Sequence, residues 1–202
     1  MNKLICIIGS TSTGKDEILK SALRMNKNLK SIVSHTTRPM RNGEIQDREY
    51  HFIDVKTATD MLNNNEFIET RQYFVANKET WLYGIHKDEI DLESDNNYVC
   101  IVDFQGLKKI EKYLEYNNKL DCLVSIYIDA DYQIRLQRAL NREGKMTNEQ
   151  VLEVIRRFED DRQFVEPAKD YCDMCFNNNN IQDMVNILSE IKKDFFFSWK
   201  KS

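Results

Sequence analysis

Glycine and proline are scarce in this 202-residue chain, at 6 and 2 residues. That excludes the collagen-like class and Pro/Gly-rich disorder. Positive charge is not in surplus either: 29 Lys and Arg stand against 33 Asp and Glu, a net charge of −4. A mildly acidic chain is a poor general nucleic-acid binder, so any basic site must be local. No apolar run approaches the ~18–20 residues of a membrane span. Met1 to Ile8 leads straight into a short apolar stretch, without the basic region and small-residue cleavage site of a signal peptide. These absences predict a cytoplasmic protein with neither nucleic acid nor membrane among its partners. The cysteines (Cys6, Cys100, Cys122, Cys172 and Cys175) are scattered and odd in number, and three sit in apolar runs as small hydrophobes. Cys172 and Cys175 form a lone CxxC. Metal or redox chemistry is one reading, but no second pair accompanies it. The other reading is a strand over Tyr171 to Phe176, which would point the two thiols to opposite faces.

What is present is an ordinary globular balance, 41% hydrophobic and 31% charged. The chain is long enough to bury a core unaided and suits a single domain. Leu4 to Ile8 is a continuous apolar run of strand length, as expected for a parallel strand covered on both faces. Lys15 to about Met25 carries Ile18, Leu19, Ala22 and Leu23 at helical spacing. Further buried strands are expected at Tyr98–Val102, ending at Asp103, at Leu123–Ile128, ending at Asp129, at Tyr171–Phe176, and a shorter one at Ile32–Ser34. Helical patterns lie between them. The last runs from Ile181 to about Phe195, and a charged pair covers Tyr132–Arg142 and Asn148–Gln163. A capping box at Thr147–Gln150 opens the second of that pair.

This alternation predicts an α/β fold, a parallel sheet sandwiched between helices. Residues 35–95 are polar and aromatic and break the rhythm, which predicts an inserted subdomain. The division is then a core of residues 1–34, 96–130 and 165–202, an insertion of 35–95, and a helical segment of 131–164. The aromatic tail, Phe195 to Trp199, is either a helix end packed on the core or a partner or dimer interface. Monomer and homodimer both remain open.

Gly9-Ser10-Thr11-Ser12-Thr13-Gly14-Lys15 fits GxxxxGK, between a buried strand and a helix as the motif requires. Backbone N–H groups of such a loop converge on phosphate oxygens, and the helix N-terminus adds favourable partial charge. Lys15 would reach the β- and γ-phosphates. Asp16 stands where the pattern has Ser or Thr. A carboxylate there can hold Mg²⁺ directly or through water, but it repels phosphate when no metal is present. Asp103, closing a buried strand at its carboxyl edge, is the second candidate acid for magnesium or substrate. A helix N-cap is the alternative role for it.

Ser34-His35-Thr36-Thr37-Arg38-Pro39-Met40-Arg41-Asn42-Gly43-Glu44 is dense in anion-binding chemistry. Arg38 and Arg41 can converge on one phosphate through their planar forks. Tyr50-His51-Phe52 follows, with a phenol able to donate to the same oxygens. On these segments the sequence resembles the guanylate kinase family of P-loop nucleoside monophosphate kinases. Glu66-Phe67-Ile68-Glu69, Tyr83-Gly84 and Asp103-Phe104-Gln105-Gly106 continue the match in family order. Arg142-Glu143-Gly144, Arg156-Arg157 and the strand ending at Asn177 extend it more loosely through the second half.

The resemblance implies ATP- and Mg²⁺-dependent phosphoryl transfer to GMP. It makes Gly9 to Asp16 the ATP loop, with Asp16 and Asp103 as metal ligands. Arg38, Arg41, Tyr50 and Tyr83 are implied as ligands of the GMP phosphate and Ser34 and Glu69 as guanine contacts, with Glu44 and Asp103 in the same acceptor set. Residues 35–95 become the monophosphate-binding insertion and 131–164 the lid. Arg138, Arg142 and Arg157 join Lys15 as the catalytic cations, drawn from two clusters: Arg135, Arg138 and Arg142 on one helical face, and Arg156, Arg157 and Arg162. Three departures lie on the nucleobase side: Ile85 where the family carries Ser or Thr, about five extra residues between Glu69 and Tyr83, and Ile101 where an acid often stands. They leave open another (deoxy)nucleoside or sugar monophosphate as acceptor. A noncatalytic nucleotide-binding domain is the reading from a different class.

Overall fold

A computed structural model describes residues 3–41, 43–74, 80–143 and 146–196. Asn42, Gly144 and the end of the aromatic tail, Phe197 to Trp199, lie outside the described residues. The central sheet holds β1 (Lys3–Ile8), β2 (Leu29–Ser31), β7 (Asn97–Ile101), β8 (Leu123–Asp129) and β9 (Met174–Asn177) in the order β2-β7-β1-β8-β9, all parallel. The continuous apolar run of β1 is explained by its central place. Leu4, Cys6 and Ile8 enter one apolar cluster while Ile5 and Ile7 enter the other, on the opposite face. Helices α1 (Lys15–Met25) and α6 (Ile181–Phe196) cover the second face, and α3 (Phe104–Tyr116) covers the first.

α3 shows how the sequence specifies a helix. Asp103 caps it, its carboxylate accepting from the Gly106 N–H at 2.7 Å. Phe104, Leu107, Ile110 and Leu114 then recur on one face and are buried. Leu107 and Leu114 are fully enclosed. Leu107→Ala is expected to cost about 2–5 kcal/mol of stability, read as a drop in the urea midpoint at unchanged m-value.

A second sheet, order β4-β3-β6-β5, is built from β3 (His35–Thr36), β4 (His51–Phe52), β5 (Phe67–Phe74) and β6 (Thr80–His86), with α2 (Val55–Asn63) between β4 and β5. β5 and β6 are antiparallel and pair Glu69 with Ile85 and Arg71 with Tyr83. The charged helices are α4 (Tyr132–Glu143) and α5 (Asn148–Asp160), and the Thr147 capping box is formed.

Two sequence expectations shift. The edge strand is Leu29–Ser31, not Ile32–Ser34. An edge strand can leave Lys30 and Ser31 in solvent, so its polar residues hide it from a search for apolar runs. β9 begins at Met174, so Cys172 lies before the strand, and none of the five cysteines is in a disulfide. Burial pushes the Cys172 thiol up to about 12, leaving it protonated at neutral pH.

Candidate active site

The loop between β1 and α1 requires its two glycines. Gly9 has φ 153°, and a Cβ there would lie 2.2 Å from the Ile128 carbonyl oxygen. Gly14, the N-cap of α1, has φ 95°, and a Cβ would lie 2.5 Å from Asn178 Nδ2. Asn178 instead donates to the Thr13 carbonyl at 2.7 Å, tying the end of β9 to the loop. Thr13 Oγ1 donates to the Ser10 carbonyl at 2.9 Å and Lys15 Nζ to the same oxygen at 2.7 Å. The lysine is thus folded over its own loop, and burial lowers it to about 8. Ser12 Oγ is buried and lacks a hydrogen-bond partner among the described residues. Asp16 is exposed in the first turn of α1.

The 131–164 segment reaches this loop through Arg135, 1% exposed and the most deeply buried arginine among the described residues. Its Nη2 donates to Asp161 Oδ2 at 2.5 Å and its Nε to the Thr11 carbonyl at 3.0 Å. Asp161 Oδ2 in turn accepts from the Thr11 N–H at 2.7 Å. The Tyr132 and Phe158 ring centroids lie 4.9 and 4.6 Å from the guanidinium carbon. Arg138 Nη1 donates to the Thr13 carbonyl at 3.3 Å. Arg157 instead pairs along α5 with Glu153 at 2.8 Å, and Arg142 is exposed near the end of α4. Arg135 was visible in the sequence as the first of three arginines on one helical face. Asp161 carried no signal beyond its place in an acidic run.

On the second sheet, Arg38 is 3% exposed although it follows an irregular stretch. Glu44 grips it with both oxygens, at 2.8 and 3.0 Å, and also accepts from the Arg41 N–H at 2.7 Å. Glu44, expected in the acceptor-binding set, thus joins the cluster through Arg38 and orients that arginine. The Arg38 hydrogen bond holds Glu44 below the usual carboxylate range despite its partial burial. Arg38 Nε donates to Tyr83 Oη at 3.1 Å, and its guanidinium lies 5.3 Å from the Tyr50 ring centroid. Arg38, Tyr50 and Tyr83 are therefore one cluster. Arg41 is exposed beside it, and Ser34 is half-buried, its carbonyl accepting from His51 N–H at 3.0 Å.

Glu69, Arg71 and Tyr73 alternate along β5 and so share a face. Arg71 Nη2 donates to Glu69 Oε1 at 3.1 Å, while Arg71 Nη1 lies 3.5 Å from Asp103 Oδ2. Tyr73 Oη donates to the same Asp103 oxygen at 3.0 Å. Both Asp103 oxygens are therefore engaged, one by the α3 N-cap and one by Tyr73 and Arg71. Asp103 thus takes the helix N-cap role that the sequence offered as its alternative, and Asp16, exposed beside the phosphate loop, is the carboxylate open to magnesium. Burial raises Glu69 above the usual carboxylate range, with Arg71 opposing the rise.

Beside this face, His35 stacks on His51 at 4.5 Å between ring centroids, and His51 bridges Asp47 (2.6 Å) and Glu89 (2.9 Å). The nearest ligand-type atoms of His35, His51 and Glu89 lie within 4.8 Å of one another. Burial first, then His51, hold His35 at about 4 rather than 6.5, with His86 adding to the effect and Glu89 and Asp47 opposing it. The sign follows by linkage. Below about pH 6.5 the unfolded chain takes up this proton and the folded chain does not. Stability is therefore complete above that pH and falls as pH drops toward 4. His35→Gln is expected to make this fall shallower in a series of denaturant midpoints against pH; an identical slope would remove His35 as its source.

With the geometry described, the chain can be set beside known proteins. The family model for guanylate kinase matches residues 1–194. A guanylate kinase of Mesomycoplasma hyopneumoniae is 28% identical over 195 residues, spanning 95% of this chain and 94% of that protein. One of Prochlorococcus marinus is 25% identical over 196 residues, spanning 96% and 98%. The crystal structure of guanylate kinase from Anaplasma phagocytophilum superimposes with a TM-score of 0.64 at 20% identity, covering 98% of this chain and 88% of that one. That likeness establishes the shared fold. Among the described residues, no helix is long and apolar enough to cross a membrane.

Proposed function

The chain belongs to the guanylate kinase family, and on that premise we propose that it transfers the γ-phosphoryl group of ATP to GMP, giving ADP and GDP. One observation carries the choice of acceptor: a single strand pair joins a cation–phenol cluster to a buried carboxylate. At one end Arg38, Tyr50 and Tyr83 suit a monophosphate. At the other, Glu69 is 2% exposed, its Oε2 without a partner among the described residues, as suits the N1–H and 2-amino donors of guanine.

Gly9 to Lys15 bind the ATP phosphates, and Lys15 leaves the Ser10 carbonyl for the phosphoryl oxygens. Magnesium, when bound with the nucleotide, neutralises phosphate charge, and Asp16 is the residue that would hold it. Residues 35–95 present the acceptor and residues 131–164 act as the lid. Arg138 lies within reach of the loop already. Arg142 and Arg157 join it when the lid closes, which for Arg157 means exchanging Glu153 for phosphate. Transfer needs positioning and charge neutralisation rather than covalent chemistry. The acceptor phosphate is already anionic, so the chain need supply no general base. Lid closure limits water attack on ATP.

The test is ADP release with ATP and Mg²⁺ across a panel of nucleoside and sugar monophosphates. GMP-dependent turnover is expected. Turnover on a different monophosphate overturns the acceptor assignment, and nucleotide binding without turnover overturns the enzyme.

A further inference from the structure

Glu69 does not stand alone on its strand face. Arg71, two residues on, places Nη2 3.1 Å from Glu69 Oε1, so a donor and an acceptor lie side by side. Each also has a buried polar atom without a partner among the described residues, Glu69 Oε2 and Arg71 Nε. Unpaired buried groups of this kind are costly, and a complementary pair two residues apart on one strand face fits a ligand edge that supplies both. β6 places no donor opposite Glu69: its cross-strand neighbour is Ile85, apolar and fully buried. Asp103 and the Tyr73 hydroxyl close the far side of the guanidinium, holding its plane in place.

The Watson–Crick edge of guanine presents the 2-amino group, N1–H and the O6 carbonyl in a row: two donors, then an acceptor. Glu69 and Arg71 offer the matching acceptors and donor. Adenine would turn an amino group toward the guanidinium and lacks the 2-amino group. Arginine is well suited to reading the O6 side of guanine because its fork is planar and always charged.

We propose that Arg71 is a specificity-determining residue of the acceptor site, donating to O6 of guanine while Glu69 accepts from N1–H and the 2-amino group. This rests on the guanylate kinase reading above. A purely structural Arg71 would hold Glu69 in place and never touch the base.

The experiment compares kcat/KM of the wild-type chain and Arg71→Lys for GMP, IMP, 6-thio-GMP and AMP, with ATP and Mg²⁺. Lysine keeps a positive charge between Glu69 and Asp103, so the variant is spared an uncompensated pair of carboxylates, but it loses the fork. GMP and IMP share O6 and should fall by the same factor, about 10- to 100-fold. AMP and 6-thio-GMP, which lack that oxygen, should change little. The GMP/IMP ratio is thus preserved while the GMP preference over 6-thio-GMP collapses. A fall in the GMP/IMP ratio shows that Arg71 acts only by placing Glu69, which owns the 2-amino contact, and overturns the proposal. So does a preference over 6-thio-GMP that survives in the variant. Should the variant fail to fold, the wild-type chain still decides: equal kcat/KM for GMP and 6-thio-GMP overturns the O6 contact. A wild-type chain that releases no ADP with GMP at all signals failure of the guanylate kinase reading itself.

Discussion

Lys15→Ala is expected to lower kcat by at least about 10²–10³-fold, the cost of removing one preorganised donor from a developing charge, and to leave the fold intact. The only hydrogen bond described for its ammonium is to the Ser10 carbonyl, so the side chain is poised for phosphate rather than built into packing. The wild-type pH dependence provides a second reading of the same residue. Burial holds Lys15 at about 8, and phosphate oxygens favour its charged form. Above pH 8 nucleotide binding must therefore take up a proton, and the KM for ATP should rise there. Lys15→Ala should abolish that rise. A folded variant with wild-type kcat, or a wild-type KM flat from pH 7 to about 9.5, removes Lys15 from the phosphate site.

The phosphate loop was legible in the sequence because everything it needs is local. Gly9 and Gly14 are where a Cβ would strike the Ile128 carbonyl and the Asn178 amide, and the flanking strand and helix announce themselves by apolar spacing. The central strands were legible for a related reason: burial on both faces writes an unbroken apolar run. Leu29–Ser31 was not, because one neighbour and open solvent require little of its residues.

Contacts across the chain are the remaining gap. Arg135 meets Asp161, 26 residues on, where α5 gives way to a wider turn at Asp161–Val165. That irregularity leaves no mark in the spacing of side chains. Glu44 is placed with the phosphate site by its arginine-rich segment. Only the geometry shows its carboxylate turned onto Arg38. Arg71 had a weak signal, two residues from Glu69 on a strand, but its importance depends on Ile85 from the neighbouring strand.

Arg38→Ala is expected to be the second most damaging change, and to act without regard to the base. Its guanidinium is almost enclosed, steered by Glu44 and Tyr83 and covered by the Tyr50 and Phe52 rings. In the proposed complex it donates to the acceptor phosphate, which every monophosphate carries. Losing charge-assisted hydrogen bonds costs roughly 1.5–3 kcal/mol each, so kcat/KM should fall about 10²-fold or more once two are lost. The loss also strands the Glu44 carboxylate in a half-buried site beside that phosphate, adding repulsion to the missing attraction. Arg38→Lys should recover little, since a single ammonium cannot reproduce the paired hydrogen bonds of the fork. The ratio of kcat/KM for GMP over AMP should stay where it was. Glu69→Gln gives the opposite pattern: it puts an amide donor where guanine also presents donors, so the ratio should fall while phosphate binding survives. Sites of this kind discriminate by up to about 10⁴–10⁵-fold, which leaves ample room for the fall to be seen. If Arg38→Ala moved the ratio and Glu69→Gln did not, the phosphate and base ends of the acceptor site would have to be exchanged.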